Sequence, residues 1–455
     1  MPSFQLVFQI IAGLGPYFSV AILLAMFLGL FLPWGVMNPQ KWLFLYIFGI
    51  ALLPFGGNDP DGGGSLYKQL TWGLLYVLCF IILLRSRKDP DSPKLNIPPE
   101  LLLLYTFLFI TIAWSDYRLS SFKRYMLLVG LLLIALISAK LSLQGRSFAS
   151  LLDKPIAFFM LCGVAMALAL PEMAFDSDGA LRAYTSHKNT WGQFMLLCSV
   201  VFLNNTLNRN NLKLNVPLLF IALALLYLSK SATSLLAFIF STFFVLIVYG
   251  FFSKNIAARL ILLAGTLAAA VALLVYSVLH GKLPFDAMIE LVFTSMDKSS
   301  TLTGRIQLWQ LMGAEIVHHP WFGTGFGGFW VGLDGAAGAL GRRLDWGPPT
   351  QAHSGYIDAM NEIGAVGMLL FAVVMVFHVY RCAGLYSAGL KSHFLLHIAI
   401  MISFLVNNYA ESSLIQGTNM WWIIMTCSII EVSNRLRLHR PPLKQFQQAK
   451  LRPQF

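Results

Sequence analysis

The sequence has few charged residues, and this scarcity excludes most soluble architectures. Asp, Glu, Lys and Arg make up 11% of the 455 residues, whereas hydrophobic residues make up 57%. A typical soluble chain has about 25% charged and about 45–50% apolar residues. The composition therefore predicts an all-α, polytopic integral membrane protein rather than a series of soluble domains.

Acidic residues and cysteines are also scarce. The 20 acids are outnumbered by 32 Lys and Arg, which gives a net charge of +12. Bases without any acid follow Glu431, a pattern typical of a cytoplasmic membrane flank, and it argues against nucleic-acid binding. The five cysteines lie in apolar stretches without C-x-x-C spacing, so we expect free thiols and no metal site.

Apolar runs near the 20 residues that a spanning helix needs indicate 12 or 13 transmembrane helices. These runs lie at 17–33, 41–56, 70–84, 98–114, 125–142, 155–171, 190–204, 214–229, 232–252, 258–279, 355–380, 393–409 and 417–431. Lys and Arg collect in alternate connections, which marks one side as cytoplasmic. Thirteen spans would place the N-terminus outside and twelve would place it inside, and the sequence leaves both open.

The same pattern divides the chain into four parts. N-terminal transmembrane helices occupy 1–279, a large outer loop 280–354, C-terminal transmembrane helices 355–433 and a basic cytoplasmic tail 434–455. Within the loop, apolar residues from Ile306 to Val317 have helical spacing and predict a helix that ends before Pro320. The Gly- and Ala-rich stretch 323–341 is expected to be irregular.

Cations on the outer side suggest an anion site, because they run against the usual positive-inside distribution. Arg305 is predicted to lie near a helix N-terminus, where its planar donor fork and free backbone N–H groups suit a phosphate or diphosphate. Arg182 and Lys188 lie on the same side. The alternative is that Arg305 extends to lipid headgroups.

His353 lies where the outer loop meets the next span, and it is a candidate general base. Asp358 and Glu362 follow on that helix, and spacing alone does not decide which carboxylate assists it. A structural histidine is the alternative reading. Glu411, at the end of another span, either lines the same outer cavity or anchors a helix end.

Several segments resemble the O-antigen ligase and polymerase group of membrane glycosyltransferases. His353-Ser354, nine residues and then Gly364-x-x-Gly367 is similar to the ligase signature. Further matching segments are Thr303-Gly304-Arg305-Ile306-x-x-Trp309, His319-Pro320-Trp321-Phe322-Gly323-x-Gly325, His187-Lys188-Asn189-x-x-Gly192 and Ser229-Lys230-Ser231-Ala232-Thr233. Many members have an arginine after the serine that opens the ninth span, where this chain has Ala232.

The resemblance implies an inverting, metal-independent O-antigen ligase without a cofactor in the bacterial inner membrane. Its partners would be an undecaprenyl-diphosphate-linked glycan, the lipid A-core acceptor and membrane lipids, and its site would face the periplasm. His353 would be catalytic, and Arg305, Arg182 and Lys188 would bind the donor diphosphate. The supporting candidates are Lys230, Glu411 and Asp358.

Three alternatives stay open. An O-antigen polymerase or a protein O-oligosaccharyltransferase would use the same donor with another acceptor. A lipid-linked sugar transporter belongs to a different class, and it would tend to bury charges at midmembrane without a large loop on one side. The ligase signature and the short basic tail favour the ligase.

Overall fold

The computed structural model describes residues 39–52, 66–86, 92–251, 256–257, 259–260, 264–265, 301–331, 335–344 and 349–439. Regular structure within these ranges is helical, apart from one isolated bridge between Phe175 and Leu181. The all-α prediction is confirmed for this part of the chain. The helices are α1 Pro39–Leu52, α2 Leu66–Ser86, α3 Pro99–Thr111, α4 Arg118–Leu143, α5 Phe148–Ala169, α6 Pro171–Ala174, α7 Lys188–Leu207, α8 Leu212–Leu228, α9 Ala232–Phe251, α10 Thr301–His318, α11 Ala336–Arg343, α12 Gly355–Ser387, α13 Lys391–Asn407 and α14 Met420–His439.

Four helical stretches are long and apolar enough to cross a membrane: Gln69–Ser86, Arg118–Leu143, Phe148–Ala169 and Gly355–Ser387. Shorter apolar helices include α8, α13 and much of α9. The predicted run 17–33 lies outside the described residues, as does nearly all of 258–279. The chain is a multi-pass membrane protein, whereas the count of 12 or 13 spans stays a prediction.

The helix α14 forms the centre of the bundle. It packs against α4, α12 and α13, and it buries nearly every residue from Met420 to Leu436. Peripheral helices instead expose large apolar side chains, such as Phe220 on α8 and Val376 on α12, at 66% and 67%. An apolar surface of this kind suits contact with lipid chains better than contact with water.

The helix α12 is broken at Gly364, which has φ +63° and ψ −171°. The backbone N–H groups of Ala365 and Val366 donate to the carbonyl oxygens of Pro320 and Trp321, at 2.8 and 3.0 Å. A Cβ on Gly364 would lie 2.4 Å from the Trp321 carbonyl carbon. Only glycine tolerates both this φ and this close approach, so the break requires this residue.

The outer-loop segment 320–325 lies in this break. Thr324 and Gly325 donate their N–H groups to the carbonyl oxygens of Asn361 and Glu362, at 2.9 and 3.0 Å. A Cβ on Gly323 would lie 2.4 Å from the Glu362 carbonyl carbon. The two glycine-containing motifs therefore pair with each other, and they fix the end of α10 relative to the start of α12.

The predicted loop helix is present as α10, and its buried face is narrower than the sequence pattern suggested. Leu308 and Met312 are fully buried, whereas Ile306 and Val317 are exposed. The expectation of irregular backbone across 323–341 is wrong for α11, which begins at Ala336. Tertiary packing stabilises α11, because Ala337 and Leu340 bury their side chains in the same cluster as Leu308 and Met312.

The last domain boundary falls inside a helix. The tail was predicted to begin at residue 434, but α14 continues to His439, and Asn434 and Arg435 are buried. Asn434 Nδ2 donates to the carbonyl oxygen of Asn96 at 2.8 Å, and its Oδ1 accepts from the Asn96 N–H at 2.8 Å. Tertiary contacts thus hold the first residues of the basic stretch in the bundle.

Candidate active site

His353 lies directly before α12, in a loop that the structure holds from two directions. Its own φ is +54°, a left-handed conformation that is uncommon for a residue with a side chain. The Trp309 indole Nε1 donates to the carbonyl oxygen of Ala352 at 2.8 Å. The Gln351 side-chain amide lies 3.3 Å from the His353 Nδ1. The imidazole is therefore oriented by its sequence neighbours and by α10.

Asp358 supports this loop through its side-chain carboxylate. Its Oδ1 accepts from the Ala352 N–H at 2.8 Å and from the Trp330 Nε1 at 2.9 Å. Its Oδ2 accepts a short hydrogen bond from the Ser412 hydroxyl. Asp358 thus connects the residue before His353 to the outer loop and to the turn after α13.

Glu362 is placed differently from Asp358. It accepts the Gly327 N–H at 2.9 Å and faces the Arg124 guanidinium at 4.0 Å. These partners belong to the outer loop and to α4. The structure therefore separates the two carboxylates that helical spacing could not rank, and Asp358 is the one beside the His353 loop.

Arg305 lies near His353 and contacts the turn after α13. Its guanidinium donates to the Ala410 carbonyl oxygen at 2.7 Å and lies 3.4 Å from the Glu411 Oε1. A guanidinium has five N–H donors, so these contacts leave donors for a ligand. The Arg305 side chain is 20% exposed, which leaves it accessible to such a ligand.

Glu411 is a buried junction between α7, α10 and α12. It accepts from the Asn189 Nδ2 at 2.6 Å and from the Gln193 Nε2 at 3.4 Å. Its backbone carbonyl accepts the Gly355 N–H at 3.1 Å, so it also contacts the start of α12. The carboxylate therefore connects Arg305 to the N-terminal part of α7.

Burial and positive neighbours lower the pKa of His353 to about 4. Desolvation is the main cause, followed by the charges of Arg305 and His187. A histidine with this pKa is neutral at pH 7. It is therefore able to accept a proton without first losing one.

Lys188 and Lys230 form a second group of cations. Lys188 Nζ lies 2.9 Å from the Asp178 Oδ2 and 3.4 Å from an Asp176 oxygen. Lys230 Nζ donates to the Asp178 carbonyl oxygen at 2.7 Å. The hydrogen bond and the charge of Lys188 lower the pKa of the Asp178 carboxyl. The structure therefore places both lysines at the same aspartate.

Arg182 lies in the same outer connection, between α6 and α7. Its backbone N–H donates to the Ala174 carbonyl oxygen at 2.8 Å. The guanidinium Nε is buried and has no hydrogen-bond partner in the part of the chain that the structure describes.

The N-terminus of α7 connects the two groups of cations. His187 is its N-cap and accepts the Asn189 N–H on Nδ1 at 3.1 Å, Lys188 opens the helix, and Asn189 contacts Glu411. A Cβ on Gly192 would lie 2.4 Å from the Ser231 Cβ. The motif that begins at His187 and the motif that begins at Ser229 are therefore in direct contact. The positive end of a helix adds to an anion site formed by side chains.

Sequence reasoning missed the hydrogen-bonding partners Gln193, Gln351, Trp330 and Ser412. Gln193 is one helical turn after Asn189, which is a weak signal, but its partner Glu411 is 218 positions away. Trp330 and Ser412 meet Asp358 only through tertiary contacts. Among the described residues, side chains with metal-ligand spacing occur at the opposite end of the bundle and not beside His353.

Comparison with known proteins agrees with this geometry. Residues 217–372 match the family model described as O-antigen ligase. The chain is also similar to the exopolysaccharide production protein ExoQ of Rhizobium meliloti (strain 1021), with 33% identity over 91 residues. That similarity covers 19% of this chain and 21% of the relative. The family match includes Arg305, His353 and the break at Gly364, so over this segment the chain is similar to the O-antigen ligase family.

Proposed function

We propose that the protein is an inverting, metal-independent glycosyltransferase that acts as an O-antigen ligase. It would transfer O-antigen polysaccharide from undecaprenyl diphosphate to a sugar hydroxyl of lipid A-core. The observation that carries the proposal is the neutral His353 beside Arg305, whose guanidinium has donors to spare. Transfer from a lipid diphosphate requires at least a base for the acceptor hydroxyl and a cationic donor group for the leaving diphosphate.

In the proposed reaction, an imidazole nitrogen of His353 accepts the proton of the acceptor hydroxyl. The hydroxyl oxygen forms a bond to the anomeric carbon on the face opposite the diphosphate, and the bond from that carbon to the diphosphate oxygen breaks. This in-line displacement inverts the anomeric configuration. The Gln351 Nε2 lies 3.3 Å from Nδ1, where an amide nitrogen donates to the ring and holds its orientation.

The leaving diphosphate needs positive charge rather than covalent activation. Arg305 is placed to supply a planar donor fork, and the buried Nε of Arg182 is a further donor without a partner in the described residues. Lys188 lies at the positive end of α7. With these groups, the proposed chemistry requires no Lewis acid.

The proposed setting is the bacterial inner membrane, with 12 or 13 spans and the site on the periplasmic face. Lys and Arg concentrate in connections such as 85–94, 140–154 and 208–213, whereas the site residues belong to 172–189, 280–354 and 410–416. The positive-inside rule assigns the first group to the cytoplasm. Clustering of the candidates at one end also favours an enzyme over a transporter.

The second candidate is a polymerase that extends a glycan chain. The similarity to a protein of exopolysaccharide production favours a growing glycan as the alternative acceptor. A protein hydroxyl is the third acceptor class. The donor site would be the same in all three, because each begins from the same lipid diphosphate.

The decisive experiment is transfer by the purified protein in EDTA, with undecaprenyl-diphosphate glycan and with or without lipid A-core. Wild type is compared with His353→Ala and with the control His318→Ala, an exposed histidine on α10. We expect product only with lipid A-core, and a rate loss of about 10²–10⁴-fold for His353→Ala. The control variant should keep the wild-type rate.

Other outcomes identify the alternatives. Chain extension without lipid A-core would indicate a polymerase. Absence of transfer to either acceptor would return the protein-acceptor and transporter hypotheses to first place. Full activity in His353→Ala would overturn the role assigned to this base.

A further inference from the structure

A second polar cluster lies at the opposite end of the bundle from His353. His393 and His397 are one helical turn apart near the start of α13, and Glu431 faces them from α14. The end of α13 adjoins the active-site turn, which puts this cluster about 20 Å from that turn at 1.5 Å per residue. One ligand atom of each side chain lies within 4.8 Å of the other two.

Two atoms of this cluster face each other at hydrogen-bonding distance. His397 Nε2 lies 2.9 Å from the Glu431 Oε2, and both side chains are fully buried. Neither atom has a further hydrogen-bond partner within the described part of the chain. Two buried atoms this close share either a proton carried by the imidazole or a metal ion, because two bare lone pairs would repel and remain unsolvated.

The remaining polar atoms of His397 and Glu431 are engaged. His397 Nδ1 lies 2.7 Å from the Ser428 hydroxyl oxygen. Glu431 Oε1 accepts from the Arg435 Nε at 2.5 Å and from the Ser142 hydroxyl at 2.8 Å. When Nδ1 donates to Ser428, the ring is held in the tautomer that directs the Nε2 lone pair at the cluster. Such outer contacts orient ligands in metal sites.

We propose that His393, His397 and Glu431 bind one divalent transition-metal ion, of which Zn²⁺ is the best match. Two imidazoles and one carboxylate are a common ligand set for zinc, and histidines four residues apart on a helix present their rings to one ion. His393 is partly exposed, which provides an entry path and room for a solvent molecule as fourth ligand. The ion would fasten α13 to α14.

The competing occupant is a proton on His397, which would form an ion pair with Glu431. A proton and a zinc ion differ in a measurable way, because only the metal needs His393. The inference is independent of the proposed transferase activity, since its readout is metal content. Its failure and the failure of the ligase proposal are therefore distinguishable.

The first test is the metal content of the full-length protein, purified in detergent with a tag that contains no histidine. Zinc is added and unbound metal is removed by dialysis, and bound zinc is then measured by elemental mass spectrometry. We expect about one equivalent in wild type and at least a tenfold weaker affinity in His393→Ala. The control is His318→Ala with His319→Ala, which removes an exposed histidine pair on the other side.

His393 is the preferred variant because its side chain is not fully buried, so its replacement should not prevent folding. Size-exclusion chromatography of each variant checks this point. Wild type loaded with Co²⁺ should show visible absorption bands of a nitrogen and oxygen site, and His393→Ala should lose them. Equal zinc binding by wild type and His393→Ala would overturn the proposal. So would wild type that retains less than a tenth of an equivalent and has no rise in Tm with added zinc.

Discussion

The two ends of the bundle each hold a glutamate beside an arginine, and the two pairs differ in how much of the arginine is exposed. Arg305 and Glu411 are 3.4 Å apart with a partly exposed arginine, whereas Arg435 and Glu431 are 2.5 Å apart with a fully buried carboxylate. The first pair leaves arginine donors free beside His353. The second pair is enclosed by Ser142 and His397.

The two buried carboxylates, Glu411 and Glu431, have different partners. Glu411 receives amide donors from α7 and holds the arginine that a diphosphate would bind. Glu431 joins α4, α13 and α14 around a polar cluster. We therefore expect substitutions at the first end to change turnover and substitutions at the second end to change stability.

The variant Glu431→Ala tests the end of the bundle that holds Arg435 and Glu431. Loss of one partner leaves Arg435 buried without its carboxylate, which costs about 3–5 kcal/mol of stability. Thermal unfolding in detergent should show a large fall in Tm. The matched variant Glu411→Ala should fall less, because Arg305 is partly solvated. Equal losses at both ends would break the distinction.

The variant Arg305→Lys tests the end of the bundle that holds Arg305 and Glu411. It keeps the positive charge but loses the planar fork, and we expect transfer to slow by roughly 10²-fold, the effect of removing one preorganised donor. Steady-state transfer assays measure the change, and Arg124→Lys provides a control on α4. Undiminished turnover would argue against a diphosphate at Arg305.

The variant Asp358→Asn removes the negative charge from the residue that holds the His353 loop. Oδ1 still accepts from the Ala352 N–H and the Trp330 Nε1. The amide nitrogen that replaces Oδ2 cannot accept the Ser412 hydroxyl hydrogen, so this hydrogen bond is lost. A cost of about 1–3 kcal/mol per lost hydrogen bond predicts roughly a tenfold fall in kcat. Glu362→Gln should affect kcat less, and the reverse order would reassign the two carboxylates.

The smallest expected effect is a shift in the pH dependence of kcat/KM. The pKa of His353 is lowered to about 4, so activity should fall only as pH drops through that value and protonates the base. Removal of one positive neighbour in Arg305→Gln should raise this pKa and move the acid limb to higher pH. Measurement of residual transfer between pH 3.5 and 7 tests the shift, and an unmoved limb would separate His353 from Arg305.

Local sequence pattern predicted the long apolar helices and named the main candidate residues. The runs of apolar residues predicted α2, α4, α5 and α12, because a lipid-facing or buried helix must be apolar along its length. The motifs around Arg305 and His353 predicted the two residues that the structure brings together. The family match over 217–372 includes both.

Long-range contacts decided what the pattern left open. Asp358 and Glu362 are four residues apart on one helix, and their partners Ser412 and Arg124 come from distant segments. Lys188 and Lys230 have Asp178 in common, which residue spacing does not indicate. The α11 helix was missed, because its Ala- and Gly-rich sequence has little preference until it packs against α10.

Sequence alone predicted the membrane class, the helical fold and the histidine and arginine of the candidate site, since composition and short motifs are local properties. Tertiary structure decided the rest. It paired the motif at 320–325 with the break at Gly364, it assigned Asp358 and not Glu362 to the His353 loop, and it brought Glu431 to two histidines on another helix. Each of these depends on side chains and backbone groups that are distant in sequence and meet only after the helices pack.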